Sequence, residues 1–264
     1  MQSEDILELK PPDPDLRVTY GPDPNQFADV RLLAGRGPHP VVLFIHGGYW
    51  RAKYDLTYAG HLSHALKLRG IATWNVEYRR VGNPGGGWPG TFADIRSAYQ
   101  LLRTNAISKT SRLDLNRVCI AGHSAGGQLA LALAAFEKTA TRVLSLAGVL
   151  DLRRAWELHL SNDAVAEFLG GSPADVPDHY REASPAEQNI HATQKLIHGT
   201  SDDSVPYEIS QRYADGKSKT GEKVELITLP KTGHFEIVDP RSNVWKKVEA
   251  TFLNLCKHSD SKSS

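Results

Sequence analysis

Sulfur is scarce in this chain: two cysteines and one methionine among 264 residues. Cys119 and Cys256 lie far apart in sequence, which excludes a disulfide framework as the means of holding the fold. A hydrophobic core must do that work, and 40% apolar residues in a chain of this length can build one. No apolar run approaches the ~20 residues of a membrane-spanning helix. Neither sign of charge dominates, with 31 basic against 30 acidic residues, so there is no field for nucleic acid and no acidic tail. Met1 to Arg17 is polar, acidic and proline-rich, without the basic start and apolar stretch of a secretory signal. These absences predict a cytoplasmic protein whose partners are neither membranes nor nucleic acids. Metal motifs are missing too: there is no His-Glu-x-x-His and no Cys/His cluster, and His61 and His64 share a helical face without a third ligand. The glycine-rich run Asn83 to Gly90 lacks the Gly-Lys-Ser/Thr of a phosphate loop. No metal and no cofactor is expected.

What is present is an alternation of strand and helix patterns. Leu16–Tyr20 and Asp29–Leu33 read as short strands around the turn-rich Gly21 to Asn25. Val41–Ile45 is a continuous apolar run, as in a strand buried on both faces of a parallel sheet. Ile71–Val76, Arg117–Ala121, Val143–Ala147, Gln194–Ile197 and Val224–Thr228 complete about eight strands. Tyr58–Leu68, Phe92–Leu102, Gln128–Phe136 and Val244–Leu255 read as helices. The order implies one α/β domain over residues 1–264, with a mostly parallel, doubly wound sheet and right-handed crossovers. Residues 152–189 interrupt the alternation with helical pieces such as Ala164–Leu169, and are read as a lid insertion. The tail, residues 257–264, is expected to be disordered. A homodimer is left open.

The stretch richest in chemistry is Gly122-His123-Ser124-Ala125-Gly126-Gly127, between the strand ending at Ala121 and a small-residue helix. Strand, Gly-x-Ser-x-Gly, helix is a nucleophile elbow, whose glycines relieve the crowding of a tight turn. A serine hydroxyl needs a base, an orienting acid and donors for an oxyanion, with the acid and then the histidine following it in chain order. Of the eleven histidines, His234 alone lies between the last strand and the last helix. Asp202, in His198-Gly199-Thr200-Ser201-Asp202-Asp203-Ser204-Val205-Pro206, follows the strand ending at Ile197. Asp203 competes with it, but the His-Gly-x-x-Asp-x-x-Val-Pro spacing favours Asp202. Asp151 is read as a cap of the insertion, His198 as a tie of its turn, and Arg79 with Asp94 as a structural ion pair. The N–H of Ala125 and those of Gly48 and Tyr49, in His46-Gly47-Gly48-Tyr49-Trp50, are the expected oxyanion donors. Trp50, Trp88 and Phe235 are expected to line an aromatic substrate pocket.

The motifs His46-Gly47-Gly48-Tyr49-Trp50, Gly122-His123-Ser124-Ala125-Gly126 and Gly233-His234-Phe235-Glu236-Ile237-Val238 resemble the kynurenine formamidase (arylformamidase) group of α/β-hydrolases. That resemblance runs from about Val41 to the end. It implies metal-free hydrolysis of an N-formyl amide by Ser124, Asp202 and His234. Tyr78-Arg79-Arg80, Trp88-Pro89-Gly90-Thr91 to Asp94, and Asp202-Asp203-Ser204-Val205-Pro206 are instead similar to bacterial esterases of the hormone-sensitive-lipase type and to acylaminoacyl-peptidase-like hydrolases. The expected function is therefore a serine hydrolase of small carboxyl esters or aryl formamides. A small peptidase is the rival within the class. A non-catalytic ligand-binding protein on the same scaffold is the rival outside it.

Overall fold

A computed structural model describes residues 4–104, 110 and 113–257. Eight strands form one sheet: β1 (Leu16–Thr19), β2 (Phe27–Arg31), β3 (His39–Ile45), β4 (Ala72–Val76), β5 (Leu113–His123), β6 (Arg142–Leu146), β7 (Thr193–Gly199) and β8 (Val224–Leu229). Their spatial order is β1-β2-β4-β3-β5-β6-β7-β8. β1 and β2 form the antiparallel hairpin that the Gly21 to Asn25 turn implied, and every pairing from β4 to β8 is parallel.

The continuous apolar runs follow from this arrangement. Successive side chains of a strand point to opposite faces, and here both faces are covered. Val41, Leu43 and Ile45 enter one core, while Val42 and Phe44 enter the other. The first core packs under α2 (Gly90–Thr104), α3 (Ala125–Phe136) and α7 (Glu208–Lys219). The second packs under α1 (Ala59–Leu68) and α8 (Trp245–Leu255). Helix α7 was not evident in the sequence, because only Ile209, Tyr213 and Ala214 carry its apolar stripe into the core. Two adjacent parallel strands nonetheless require a crossover of this kind.

The insertion carries α4 (Leu152–Glu157), α5 (Ala164–Leu169) and α6 (Pro177–Ala183). Its Leu152, Val165, Phe168 and Tyr180 are buried in the first core, so it is a packed wall of that core. Asp151 caps α4 by accepting from the Arg154 N–H at 3.0 Å. Arg79 grips Asp94 with two guanidinium bonds, at 2.6 and 2.9 Å. Cys119 and Cys256 meet in the second core as free, buried thiols. The Cys256 thiol beside it and burial push the Cys119 thiol far up, so it stays protonated and inert. Apart from Lys257, the tail expected to be disordered lies outside the described residues.

Parallel strands send all their carboxyl ends to one edge, where ligand sites of open α/β sheets form. The loops after β3, β5, β7 and β8 meet there, and they carry Gly48, Ser124, Asp202 and His234 respectively.

Candidate active site

Ser124 sits between β5 and α3 with φ 56° and ψ −122°, a conformation that costs energy for any residue with a side chain. The turn closes only because its neighbours are glycines. A Cβ at Gly122 would lie 2.0 Å from the Gly126 carbonyl oxygen, and one at Gly126 would lie 2.1 Å from that of Ile45. The Ser124 N–H donates to Leu146 O at 2.8 Å and its carbonyl accepts from the Gly127 N–H at 2.9 Å, which anchors the turn to β6 and α3.

The loop after β3 is strained in the same sense. Gly48, Tyr49 and Trp50 have φ of 109°, 49° and 57°. Two anchors hold it. The Tyr49 hydroxyl donates to the Ser204 carbonyl in the Asp202 loop. His46 is clamped more tightly, with Nδ1 2.7 Å from Gly47 O and Nε2 3.1 Å from Glu77 Oε1, while its ring stacks on Tyr78. Because a peptide unit is planar and trans, its C=O and N–H point in opposite directions. Drawing the Gly47 carbonyl towards His46 therefore turns the Gly48 N–H away from His46, and Gly48 lines the cavity at Ser124. Among the described residues, the N–H groups of Gly48, Tyr49 and Ala125 have no backbone carbonyl as partner. Gly47 itself must be small, since a Cβ there would lie 2.8 Å from the Ser124 Cβ.

Glu77 is the buried support of this loop and gave no signal in the sequence. Its carboxylate accepts from His46, from the Tyr78 and Leu56 N–H groups, and from Arg80 at 3.0 Å. Burial opposes its ionisation, but the His46 and Arg80 charges and these bonds outweigh that and hold it below the usual carboxylate range. Glu77→Ala is expected to cost about 3–5 kcal/mol, because it strands a buried guanidinium and the His46 ring. The midpoint of urea unfolding at neutral pH measures it.

His234 and Asp202 are brought together, with Nδ1 2.7 Å from Oδ2. Asp203 is exposed and accepts from the Ser204 hydroxyl at 3.3 Å. Asp202 Oδ1 accepts from the Ser204 and Val205 N–H groups at 3.0 and 2.8 Å. Oδ2 has a second neighbour, His198 Nε2, at 3.2 Å. That nitrogen also faces Val205 O at 2.9 Å, so it carries the hydrogen, and Nδ1 accepts from the Ser210 hydroxyl at 2.7 Å. Burial alone would raise the Asp202 pKa, but the bonds from His198 and His234 drive it far below the carboxylate range. The ionised Asp202 keeps a hydrogen on His234 Nδ1 and leaves Nε2 as the free lone pair.

A cavity of ≈ 180 Å³ opens at Ser124 and His234, walled by Tyr49, Tyr54, Tyr58 and Phe235. Of the three aromatic residues expected to line a pocket, Phe235 lines this cavity and the two tryptophans do not. Trp50 is fully buried, stacked on Phe168 at 4.5 Å and bonded to Gln128. The left-handed backbone at Trp50 turns its indole into the core. Trp88 stacks on Phe92 and lines a separate surface groove. No residue of 152–189 lines the Ser124 cavity. The N-terminal segment contributes Glu4 and Leu7 to the cavity lining, beside Gly48, His123 and Ser204, and the buried Ile6 holds that segment down. Nothing in the local sequence marks that segment, because its position depends on a surface assembled from distant residues.

Among the described residues, no group of three or more His, Cys, Asp or Glu is arranged to hold a metal ion, and no helix is long and apolar enough to cross a membrane.

The BD-FAE family model matches residues 32–215. The chain is 25% identical over 248 residues to an isoprenylcysteine alpha-carbonyl methylesterase of Arabidopsis thaliana, covering 83% of this chain and 56% of that protein. It thus spans about half the length of the plant methylesterases it matches. A kynurenine formamidase of Aspergillus versicolor is 24% identical over 257 residues, covering 80% of this chain and 86% of that one. A truncated carbohydrate esterase from gut microbiota superposes with TM-score 0.78 at 20% identity, covering 94% of this chain and 99% of that one. Esterase B of Lactobacillus Rhamnosis superposes with TM-score 0.77 at 19% identity, covering 96% and 90%. The sequence match over most of the chain, on a sheet of this order with an elbow at Ser124, shows that the chain belongs to the BD-FAE family of α/β-hydrolases.

Proposed function

We propose that this protein is a serine hydrolase of small carboxyl esters or aryl formamides. One observation carries the reading: His234, bonded to the buried Asp202 side chain at 2.7 Å, lines one cavity together with Ser124 and Gly48. His234 Nε2 takes the Ser124 proton as Oγ adds to the carbonyl carbon. The oxyanion that forms is held by the N–H groups of Ala125, Gly48 and Tyr49. His234 then gives that proton to the leaving alcohol or amine, and an acyl group remains on Oγ. Water attacks the acyl-enzyme, passing its proton through His234 back to Ser124, and the acid leaves.

The cavity is smaller than the ~300–1,000 Å³ typical of drug-sized ligand sites, which favours a short acyl group. Its aromatic walls suit a flat leaving group. The methylesterase relative supports ester hydrolysis, and the formamidase relative supports formamide hydrolysis. The cytoplasmic location proposed for the chain rests on its scarce cysteines, present as free thiols.

A fluorophosphonate probe is expected to leave a single adduct on Ser124, located by peptide mass spectrometry. Folded protein that stays unlabelled at Ser124 sinks the enzyme reading in favour of a binding protein. A panel of p-nitrophenyl acetate, p-nitrophenyl butyrate, N-formylkynurenine and an aminoacyl anilide then ranks substrates. Acetate is expected to exceed butyrate in kcat/KM, and a preference for the anilide would move the assignment to a peptidase.

A further inference from the structure

We infer that His123, the residue before the nucleophile, is a positioning residue that joins the oxyanion loop to the loop of the base through one directed string of hydrogen bonds. This rests on the serine hydrolase reading above. The string has four members from three distant parts of the chain. The Gly47 N–H lies 2.7 Å from the Tyr58 hydroxyl, which lies 2.9 Å from His123 Nδ1. His123 Nε2 lies 3.2 Å from the backbone carbonyl of His234.

Its direction is forced. The His234 carbonyl can only accept, so in the neutral ring Nε2 holds the hydrogen, and the Tyr58 hydroxyl, which accepts from the Gly47 N–H, gives its single hydrogen to His123 Nδ1. Nδ1 is therefore the bare nitrogen. Nε2 carries the hydrogen and donates it to the His234 carbonyl. One neutral tautomer of His123 satisfies every member, and protonation at Nδ1 would reverse the bond to Tyr58 and take this acceptor from the Tyr58 hydrogen. Burial, and after it the charge of His234, hold the His123 pKa well below its ordinary value, which keeps that tautomer in place.

The consequence is geometric. His123 N–H fixes the backbone from which the His234 imidazole hangs, and the rings of the two residues lie 4.5 Å apart. The same His123 ring, through Tyr58, holds the loop that presents the Gly48 N–H. Base and oxyanion donors are thus referred to one buried ring on the residue adjoining Ser124. An uncharged ring there also spares the His234 imidazolium, formed during the reaction, a like charge against its face.

The test compares two replacements. His123→Gln keeps an acceptor for Tyr58 and a donor for the His234 carbonyl, whereas His123→Phe keeps the aromatic packing and loses both bonds. With p-nitrophenyl acetate, His123→Phe is expected to lose about 10- to 100-fold in kcat with KM little changed, the scale of a small misplacement of reacting groups. His123→Gln is expected to be at least tenfold faster than His123→Phe, and fluorophosphonate labelling rates are expected to rank in the same order. Equal rates, or a faster His123→Phe, overturn the bridge and leave a packing role. If His123→Phe does not fold, Tyr58→Phe decides: it removes only the hydroxyl, and an unchanged kcat overturns the inference. Wild-type protein that is unlabelled at Ser124 overturns the underlying hydrolase reading instead, so the two failures are distinguishable.

Discussion

Ser124→Ala is expected to lower kcat for p-nitrophenyl acetate by about 10⁶-fold, the scale seen when a triad serine is removed. The expectation rests on Ser124 standing at the apex of the strained turn and lining the same cavity as His234. The fold is expected to survive. The bonds that anchor the turn to Leu146 and Gly127 belong to the backbone of residue 124 and remain in the variant. The same tight turn is shaped by Gly122 and Gly126, which are untouched. A thermal midpoint near that of the parent, with loss of fluorophosphonate labelling, completes the expectation. Retention of more than a few per cent of the rate would show that acyl transfer does not pass through Ser124.

Asp202→Asn is expected to cost about 10⁴-fold in kcat, as a triad loses when its histidine takes the wrong tautomer. The surroundings of this carboxylate sharpen the argument. Its four contacts, from His234, His198 and the Ser204 and Val205 N–H groups, are all donors. An asparagine offers one oxygen and one NH₂, so in either orientation a donor faces a donor. If the oxygen stays with the backbone N–H groups, the NH₂ confronts the histidines and drives the His234 hydrogen to Nε2, where the base is needed. Asp203→Asn, on an exposed side chain, is the control and is expected to keep near-parental activity.

Asp202 also links stability to pH. Its folded pKa is depressed, so its contribution is complete above the ordinary aspartate value near ~3.9 and is lost as pH falls towards the folded value. Urea midpoints measured between about pH 5 and pH 3 are expected to fall more steeply for the parent than for Asp202→Asn. Parallel slopes for the two would show that Asp202 is no better stabilised folded than unfolded.

The elements that could be read from the sequence share a physical cause. Val41–Ile45, Arg117–Ala121 and Val143–Ala147 stand out because a parallel strand covered on both faces must be apolar throughout. The elbow stands out because a turn with φ 56° at its centre tolerates no side chain at Gly122 or Gly126. Asp202 and His234 follow from chain order, since each loop succeeds a recognisable strand. Helix α7 was missed because its exposed face outweighs its apolar stripe.

The sequence misplaced or passed over the residues whose roles depend on direction. Trp50 follows the cavity-lining Gly48 and Tyr49, yet a left-handed backbone sends its ring to Phe168. Trp88 adjoins a glycine-rich loop, yet it packs on Phe92 over another groove. Glu77, Tyr58 and His123 look like ordinary strand, helix and motif residues until folding converges them behind the site. Periodicity, glycine spacing and chain order, all local properties of the chain, were enough to read the sheet, the elbow at Ser124 and the order of the Asp202 and His234 loops. Which aromatic side chains wall the cavity, and which buried hydrogen bonds tie the His234 loop to the Gly47 loop, was decided only in three dimensions. Those contacts join residues such as Gly47, Tyr58, His123 and His234, and a hydrogen bond between such distant positions leaves no periodic trace in the chain.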